Sequence, residues 1–194
     1  MMYFIVKRIM DITISALALL LLAPLLFVIA LFIKMDSPGP VFFAQSRVGY
    51  KKKIFKILKF RTMAKDADKV DIAVQQVRDW EINSNDPRVT RVGKWLRKTG
   101  VDEIPQFFNV LKGDMSLVGP RPYYQPRIDA DPNLEERLSI TPGCISLAIV
   151  SGRVRLSEEE IKKYDREYQN KRGLWLDIKI LLKAVYLVIS GKGF

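Results

Sequence analysis

The sequence predicts a mostly helical α+β protein that is attached to a membrane through its N-terminal segment. Residues 12–33 hold 22 successive positions without a charged side chain. Residues 41–63 read as two extended runs around one turn, which predicts a small β-hairpin. Most of the remaining chain shows helical patterns. At 194 residues the chain can form one core, so we expect a membrane segment at 1–36 and one domain at 37–194.

Composition limits the possible chemistry. The net charge of +11 predicts an anionic partner, either nucleic acid, a phosphorylated substrate or lipid headgroups. The chain has no histidine, which excludes Ser-His-Asp triads and histidine zinc sites. The single cysteine, Cys144, excludes an internal disulfide and suits a reducing compartment. Carboxylate, lysine, tyrosine and hydroxyl groups remain as candidates for catalysis.

The N-terminal apolar segment is long enough to cross a bilayer, since 22 helical residues extend about 33 Å. Pro24 lies near its centre and removes a backbone hydrogen bond there. Cations flank both ends, with Lys7 and Arg8 before the segment and Lys34 after it. The positive-inside rule therefore favours the cytoplasm for both ends. These residues allow either a re-entrant helix that breaks at Pro24 or a bent helix that spans the membrane. Within the segment's N-terminal edge, Asp11 is expected to pair with Lys7 or Arg8.

A basic hairpin is predicted to follow the membrane segment, with a turn around Gly49 and a second extended run at Ile54–Phe60. Between Arg47 and Lys65 there are eight Lys or Arg residues and no acid. These charges form either a solvated face or a strip against anionic lipid or phosphate. The adjoining membrane segment favours lipid for most of them, whereas Lys59 and Arg61 are expected to face inward.

Two helices are predicted around an adjacent acid pair. Residues 64–84 suggest a helix followed by a loop, and Asn85–Asp86 is expected to cap a helix that starts at Pro87 and ends at Gly100. A second helix is expected within "DEIPQFFNVLKGDM" and places Asp102 and Glu103 at the junction. Its inward side chains are predicted to be Ile104, Phe107, Phe108 and Leu111.

The acid pair has a structural and a chemical interpretation. Acids are favoured at helix N-termini by exposed amides and the macrodipole. Arginines in stiff turns, Arg121 in "GPRP" and Arg153 in "SGR", suit bidentate recognition of phosphate. Phosphate would repel neighbouring acids unless a divalent metal lies between them or one acid is a nucleophile. The residues thus point to the class of membrane-bound phosphoryl-transfer enzymes.

The C-terminal third is predicted to end in two helices. The chain is expected to be loop-like after "GPRP", which ends at Pro122, through "TPGCISLAIVSGR". "SEEE" at Ser157–Glu160 is a capping box that opens a charged helix to about Lys171. The last segment, "LWLDIKILLKAVYLVI", is apolar but interrupted by charges, so it suits an interfacial helix or one that packs on the domain.

Several stretches resemble the bacterial sugar transferases, more specifically the monotopic polyprenyl-phosphate phosphoglycosyl transferases. The resemblance covers almost the whole chain. It is carried by "KRIMDITIS", "PVFFAQSRVG", "IFKILKFRTM", "NDPRVTRVGKWLRKTGVDEIPQFFNVLKGDMSLVGPRP", "YDREY" and "LWLDIKILLK". Two departures stand out: Ala23 where serine is common before the proline, and "PGCISLAIVSGR" where Ile145-Ser146 replaces Thr-Gly.

The resemblance implies transfer of a sugar 1-phosphate from a UDP-sugar to polyprenyl phosphate, with release of UMP. It implies Asp102 as the nucleophile and as the ligand of Mg²⁺, with Glu103 as its acidic partner. Arg121 matches the phosphate-binding arginine, and Pro24 the point where the re-entrant helix breaks. Further contacts to phosphate are expected from Arg97, Arg153, Lys59 and Arg61. The implied location is the bacterial inner membrane, with the catalytic domain on the cytoplasmic face.

Other readings remain open at this point. A catalytically silent membrane-surface adaptor would bind polyprenyl phosphate or a partner glycosyltransferase, but it has no chemical need for both Asp102 and Glu103. A nucleic-acid partner is not expected, because the chain lacks a recognition motif. Lipid is an expected partner, and the C-terminal helix offers a surface for self-association into a homo-oligomer. The residues do not predict which UDP-sugar or which glycan pathway is served.

Overall fold

The computed structural model describes residues 2–65, 67, 86–152 and 156–190. Within these residues the fold is mostly helical, as the sequence predicts, and it contains the predicted hairpin and a second small sheet that the sequence does not predict. The helices are α1 Met2–Asp36, α2 Arg91–Thr99, α3 Gln106–Lys112, α4 Gln125–Ala130, α5 Leu147–Gly152, α6 Glu158–Lys171 and α7 Leu174–Ile189. The strands are β1 Phe42–Val48, β2 Ile54–Phe60, β3 Ser116–Val118 and β4 Gly143–Ile145. The helix and loop predicted at 64–84 lie almost wholly outside the described residues.

Helix α1 runs through Pro24 as one helix of 35 residues, which corrects the predicted division into two helices. A proline removes only its own N–H from the hydrogen-bond ladder, and membrane helices tolerate this loss when neighbouring groups compensate. The most apolar 18-residue stretch of α1 has a mean hydropathy of 3.0, and only 17% of that stretch is buried. A helix so apolar and so exposed is suited to lipid, and it indicates a membrane-associated protein.

Both ends of α1 contact the same body of the protein. Near the start, Arg8 donates to the carbonyls of Val110 at 2.6 Å and Leu111 at 2.9 Å, at the end of α3. Near the other end, Asp36 accepts a hydrogen bond of 2.9 Å from the backbone N–H of Val92 in α2. One face of α1 is buried along its length, at Lys7, Asp11, Ser15, Leu19, Ile29 and Ile33. The exposed apolar face lies opposite, and it includes Leu17, Leu20, Leu21 and Phe27.

A buried carboxylate, Asp177 in α7, fixes the start of α1. The ammonium of Lys7 lies 2.8 Å from Asp177 and also donates to the Val118 carbonyl at 3.0 Å. The hydroxyl of Tyr168 donates to Asp177 at 2.7 Å, and that of Tyr3 donates at 3.1 Å. Burial and the Asp177 charge raise the pKa of Tyr168, so its hydroxyl stays protonated as a donor. This network joins α1, β3, α6 and α7.

The predicted pairing of Asp11 with Lys7 or Arg8 is wrong. Asp11 instead accepts a hydrogen bond of 3.1 Å from the backbone N–H of Leu117 in β3. Lys7 is already engaged by Asp177, which lies 170 residues away in the sequence. A pattern based on one helical turn does not reveal such a distant partner.

The β-hairpin is confirmed. Strands β1 and β2 pair antiparallel, with Phe42 opposite Phe60 and Val48 opposite Ile54. Helix α3 is fixed to this hairpin by Asn109, whose amide donates to the Lys56 carbonyl at 2.7 Å and whose side-chain oxygen accepts from Leu58 N–H at 2.9 Å. The hairpin therefore determines where α3, and the turn before it, lie.

Helix α2 begins at Arg91 and not at Pro87. Its N-cap is Thr90, whose hydroxyl accepts from the backbone N–H of Gly93 at 3.0 Å. Asp86, expected to cap the helix, instead binds the guanidinium of Arg88 at 2.7 Å. The end at Gly100 is confirmed, and its φ of 72° is the left-handed conformation that glycine adopts readily.

The stretch from β3 through α5 is more ordered than the sequence predicts. Strands β3 and β4 pair in parallel and bring Gly119 beside Gly143. A Cβ on Gly143 would lie 2.1 Å from the Gly119 nitrogen, so the two backbones are in direct contact. In the stretch "PGCISLAIVSGR", the Ser146 hydroxyl accepts from Ile149 N–H at 3.1 Å and caps α5. Cys144 is buried in the core, and burial raises the pKa of its thiol.

The two C-terminal helices are confirmed. The capping box forms as predicted, with Ser157 and Glu160 each bonding the other's backbone N–H. Helix α7 buries Asp177, Ile180 and Ala184 against the body. Its opposite face exposes apolar side chains, at Trp175, Leu182, Val185, Tyr186, Val188 and Ile189. Helix α7 thus packs on the domain and also presents a lipid-compatible surface.

Removing one partner of the buried Lys7–Asp177 pair is expected to destabilise the fold by about 3–5 kcal/mol, because the other charge is left unpaired. Lys7→Met and Asp177→Leu each test this by thermal unfolding of the detergent-held protein. The double variant Lys7→Met/Asp177→Leu leaves neither charge behind and is expected to unfold at a higher temperature than either single variant. A double variant less stable than both singles would contradict the ion-pair account.

Gly143→Ala is expected to destabilise the protein by about 1–3 kcal/mol, because the added methyl group overlaps the Gly119 backbone. Gly173→Ala is the matched control, since its Cβ would meet its nearest atom only at 3.9 Å. Thermal unfolding of both variants measures the difference. Equal unfolding temperatures for the two variants would argue against close packing of β3 on β4.

Candidate active site

The adjacent acids Asp102 and Glu103 lie in a 3₁₀ turn, Val101–Glu103, between α2 and α3. Gly100 ends α2 in a left-handed conformation, and its carbonyl accepts from the Glu103 N–H at 3.2 Å. This tight turn places both acids at the junction that the sequence predicts. The acids precede the start of α3 by three residues or more, so neither is the N-cap of α3, which is Pro105.

Glu103 brings together cations from two other elements. Lys59 of β2 lies 3.1 Å from Glu103 Oε1. Arg121 of the "GPRP" turn donates through Nη1 to Oε2 at 3.0 Å and through Nη2 to Oε1. The Arg121–Glu103 contact is thus bidentate, the geometry in which guanidinium also binds phosphate. The three side chains are only partly exposed.

Asp102 lies within the same electrostatic field. Burial raises the pKa of its carboxyl above the usual value, and the neighbouring Glu103 charge raises it further. The cations Lys59, Arg121 and Arg97 act in the opposite direction. Arg97 is also oriented by Thr62, whose hydroxyl accepts from its Nε at 2.9 Å. The structure therefore gathers Asp102, Glu103, Lys59, Arg97 and Arg121 into one charged centre.

Arg61 faces inward, as expected, but its partners are backbone carbonyls. Its guanidinium donates to the carbonyls of Pro38, of Ser37 at 2.7 Å and of Ile33 at 3.4 Å, at the end of α1. With both Nη atoms bonded to these carbonyls and 93% of its surface buried, Arg61 anchors the membrane helix. We therefore do not carry it forward as a phosphate ligand. Arg153, also predicted to bind phosphate, lies outside the described residues.

The residues at the centre fit a magnesium ion shared with a substrate. Among the described residues, no group of three or more Asp, Glu, His or Cys side chains could hold a metal by itself. Mg²⁺ commonly binds one or two carboxylates together with substrate phosphates. Asp102 is such a carboxylate, and its charge is disfavoured by burial and by Glu103, a penalty that a cation would relieve.

Sequence reasoning missed the residues that hold the Arg121 turn. Arg137 donates to the Arg121 carbonyl at 2.6 Å and contacts Asp165 at 2.9 Å. Tyr123 lies beneath the Arg137 guanidinium, 3.8 Å from it to the ring centroid. No local motif in the sequence indicates the roles of Arg137 and Asp165, because they lie in the 3₁₀ segment Pro132–Ser139 and in α6. Only the tertiary fold brings them to the site.

The fold and site define a membrane-associated protein with a carboxylate–cation centre beside its membrane helix. The sequence model of the bacterial sugar transferases matches residues 2–191. The chain belongs to the bacterial sugar transferase family. The resemblance stated from its motifs is thus confirmed.

Several relatives are similar along nearly the whole chain. A Caulobacter vibrioides protein named UDP-glucose:undecaprenyl-phosphate glucose-1-phosphate transferase is 43% identical over 192 residues, covering 92% of this chain and 68% of the relative. The galactosyl transferase CpsE of Streptococcus agalactiae is 40% identical over 200 residues, covering 98% of this chain and 44% of the relative. The exopolysaccharide production protein PSS of Rhizobium leguminosarum is 38% identical over 209 residues, covering 100% of both. The chain spans less than half the length of several curated relatives that it matches.

Proposed function

We propose that the protein is a phosphoglycosyl transferase, which moves a sugar 1-phosphate from a UDP-sugar to polyprenyl phosphate at a membrane surface. The observation that carries this proposal is the position of Asp102 beside the Arg121–Glu103–Lys59 cluster, in a body fixed to both ends of a lipid-exposed helix. A carboxylate nucleophile amid fixed cations is suited to phosphoryl transfer without histidine. The names of the relatives support an undecaprenyl phosphate acceptor.

In the first step, a carboxylate oxygen of Asp102 attacks the sugar-linked phosphorus of the donor. A bond forms between this oxygen and phosphorus, and the bond from phosphorus to the UMP oxygen breaks. UMP leaves with the electron pair of that bond. The product on the enzyme is an aspartyl-phosphosugar, and no proton transfer is required for the exchange. Arg121 and Lys59 stabilise the negative charge of the phosphoryl oxygens.

In the second step, a phosphate oxygen of polyprenyl phosphate attacks the same phosphorus. The bond to Asp102 breaks, the carboxylate is regenerated, and polyprenyl-diphospho-sugar is released. Glu103 helps to activate the acceptor phosphate by holding Lys59 and Arg121 in place, which lets the acceptor approach between fixed cations. An enzyme of this kind carries out the first membrane step of a glycoconjugate pathway.

Magnesium, held by Asp102 and the donor phosphates, would neutralise the diphosphate so that a carboxylate can approach it. The residues of the chain supply the rest of the charge. Arg97, oriented by Thr62, adds a third cation to the field at Asp102. The combined positive charge compensates a donor diphosphate in a partly desolvated site.

The membrane topology follows from the contacts of α1. Since both ends of α1 bind the same body, we propose that α1, although continuous, is kinked at Pro24, so that it enters one leaflet and returns to the same face. The flanking cations favour the cytoplasmic face of the bacterial inner membrane. Polyprenyl phosphate keeps its tail among lipids and its head at the interface. A site beside the re-entrant helix lies at the depth of the lipid headgroups, where the phosphate of polyprenyl phosphate is found.

The proposed reaction predicts UMP release by the nanodisc-held protein with Mg²⁺, undecaprenyl phosphate and one member of a panel of UDP-sugars. A panel is needed because relatives are named for glucose, galactosyl and N-acetylgalactosamine transfer. Asp102→Asn removes the nucleophile and is expected to lower the rate by at least about a thousandfold. Asp129→Asn, at an exposed carboxylate in α4, is the matched control and should retain full activity. Folded protein that releases no UMP with any donor would instead favour a catalytically silent adaptor.

The bidentate role of Arg121 predicts different effects for two substitutions. Arg121→Lys keeps the charge but loses the planar fork, and kcat/KM for UMP release is expected to fall about 10- to 100-fold. Arg121→Met also loses the charge and is expected to be the weaker enzyme of the two. Steady-state kinetics with the accepted donor measure both. Wild-type kinetics in Arg121→Lys would show that only charge matters at this position.

A further inference from the structure

We propose that Arg137 is a positioning residue, which fixes the backbone of Arg121 and thereby aims the Arg121 guanidinium at the reacting phosphate. The proposal rests on the proposed function of the site. It concerns a side chain that lies behind the "GPRP" turn and is only 8% exposed. Such a buried guanidinium acts through its protein contacts rather than on a substrate.

The contact to Arg121 is direct. Arg137 Nη2 donates to the Arg121 carbonyl oxygen at 2.6 Å. A hydrogen bond from a charged donor in a buried setting is among the stronger kinds in proteins. The carbonyl belongs to the residue whose side chain forms the fork on Glu103. A shift of this peptide group would move the whole guanidinium.

Arg137 is itself held by two partners. Its Nη2 lies 2.9 Å from Asp165 Oδ2 in α6, and both side chains are more than 90% buried. Its guanidinium also lies 3.8 Å from the centroid of the Tyr123 ring, in a cation–π arrangement. Burial raises the pKa of Asp165, and the Arg137 charge opposes that effect. Arg137 thus links helix α6 to the catalytic turn.

The turn depends on this link because prolines flank Arg121. Pro120 and Pro122 lack backbone N–H groups, which limits the hydrogen bonds that the turn can donate. Before Arg121, the Pro120 carbonyl accepts from Gly143 N–H at 2.9 Å. After it, the Tyr123 carbonyl accepts from Val48 N–H at 2.8 Å. Arg137 supplies the hydrogen bond between these two points, at the carbonyl of Arg121 itself.

The test is a double-mutant cycle in UMP release. Arg137→Met is combined with Asp165→Leu, so that no unpaired charge is left in the core and the protein folds. This pair of changes is made in the wild-type and in the Arg121→Met background. Arg127→Met is the matched control, because Arg127 contacts the same Tyr123 ring at 4.3 Å but donates to Glu158 and not to Arg121.

We expect Arg137→Met/Asp165→Leu to lower kcat/KM about 10- to 100-fold in the wild-type background, since small displacements of a catalytic group have effects of that size. In the Arg121→Met background the same changes should lower it less than about twofold, because Arg137 acts through Arg121. Arg127→Met should leave kcat/KM within about twofold of wild type. Equal losses in the two backgrounds would overturn the proposal and leave Arg137 with a general structural role.

A second readout does not require activity. Phenylglyoxal modifies arginine side chains, and peptide mapping gives the modification rate of Arg121 alone. We expect this rate to rise severalfold in Arg137→Met/Asp165→Leu and to stay unchanged in Arg127→Met. If wild-type protein releases no UMP with any donor, the proposed function fails, but the labelling still decides the positioning role. An unchanged Arg121 rate would overturn it.

Discussion

The buried carboxylate of Asp177 is the constraint on which the rest of the structure depends. It accepts from a lysine and two tyrosines, and Lys7 also donates to the Val118 carbonyl. A charge without solvent is costly unless several donors surround it, so the helices that supply the donors must lie together. Strand β3, which ends at Val118, leads directly into the turn that carries Arg121. The attachment of the membrane helix and the geometry of the site are therefore parts of one network.

The candidate site is also held together by one carboxylate that binds several donors. Glu103 serves as an internal counter-ion for Lys59 and Arg121, and it keeps two cations from separate elements close together in the absence of a ligand. Without it, the like charges would repel each other and the hairpin and the turn would be pushed apart. In the proposed reaction, an arriving phosphate would share cations that are already in place. The repulsion between the cations is overcome when the protein folds, so it would not have to be overcome again in each reaction cycle.

The sequence predicts the parts of this protein whose signals are local. The apolar segment, the hairpin, the Gly100 end of α2, the capping box of α6 and the acid pair are all visible as short patterns. The sequence predicts no strand at β3 or β4, and β4 lies in the stretch expected to be loop-like, because three residues carry too little periodicity and the pairing joins segments more than twenty residues apart. The phosphate role expected of Arg61 rests on the resemblance of its motif, which does not show what the side chain contacts. Its binding to the end of α1 depends on the tertiary fold, as do the contacts of Arg137.

The Lys7–Asp177 contact also has a consequence for biosynthesis. The two residues are 170 positions apart, and a ribosome that adds 5–20 residues per second takes on the order of 10 to 30 s to make the interval. During that time the apolar helix α1 has been made and is suited to lipid, whereas Asp177, the carboxylate that pairs with Lys7, has not yet been synthesised. The anionic headgroups of the membrane are the natural temporary counter-ions for Lys7. The Lys7–Asp177 contact can form only after α7 has been synthesised, so the folded body closes on the start of α1 late in biosynthesis.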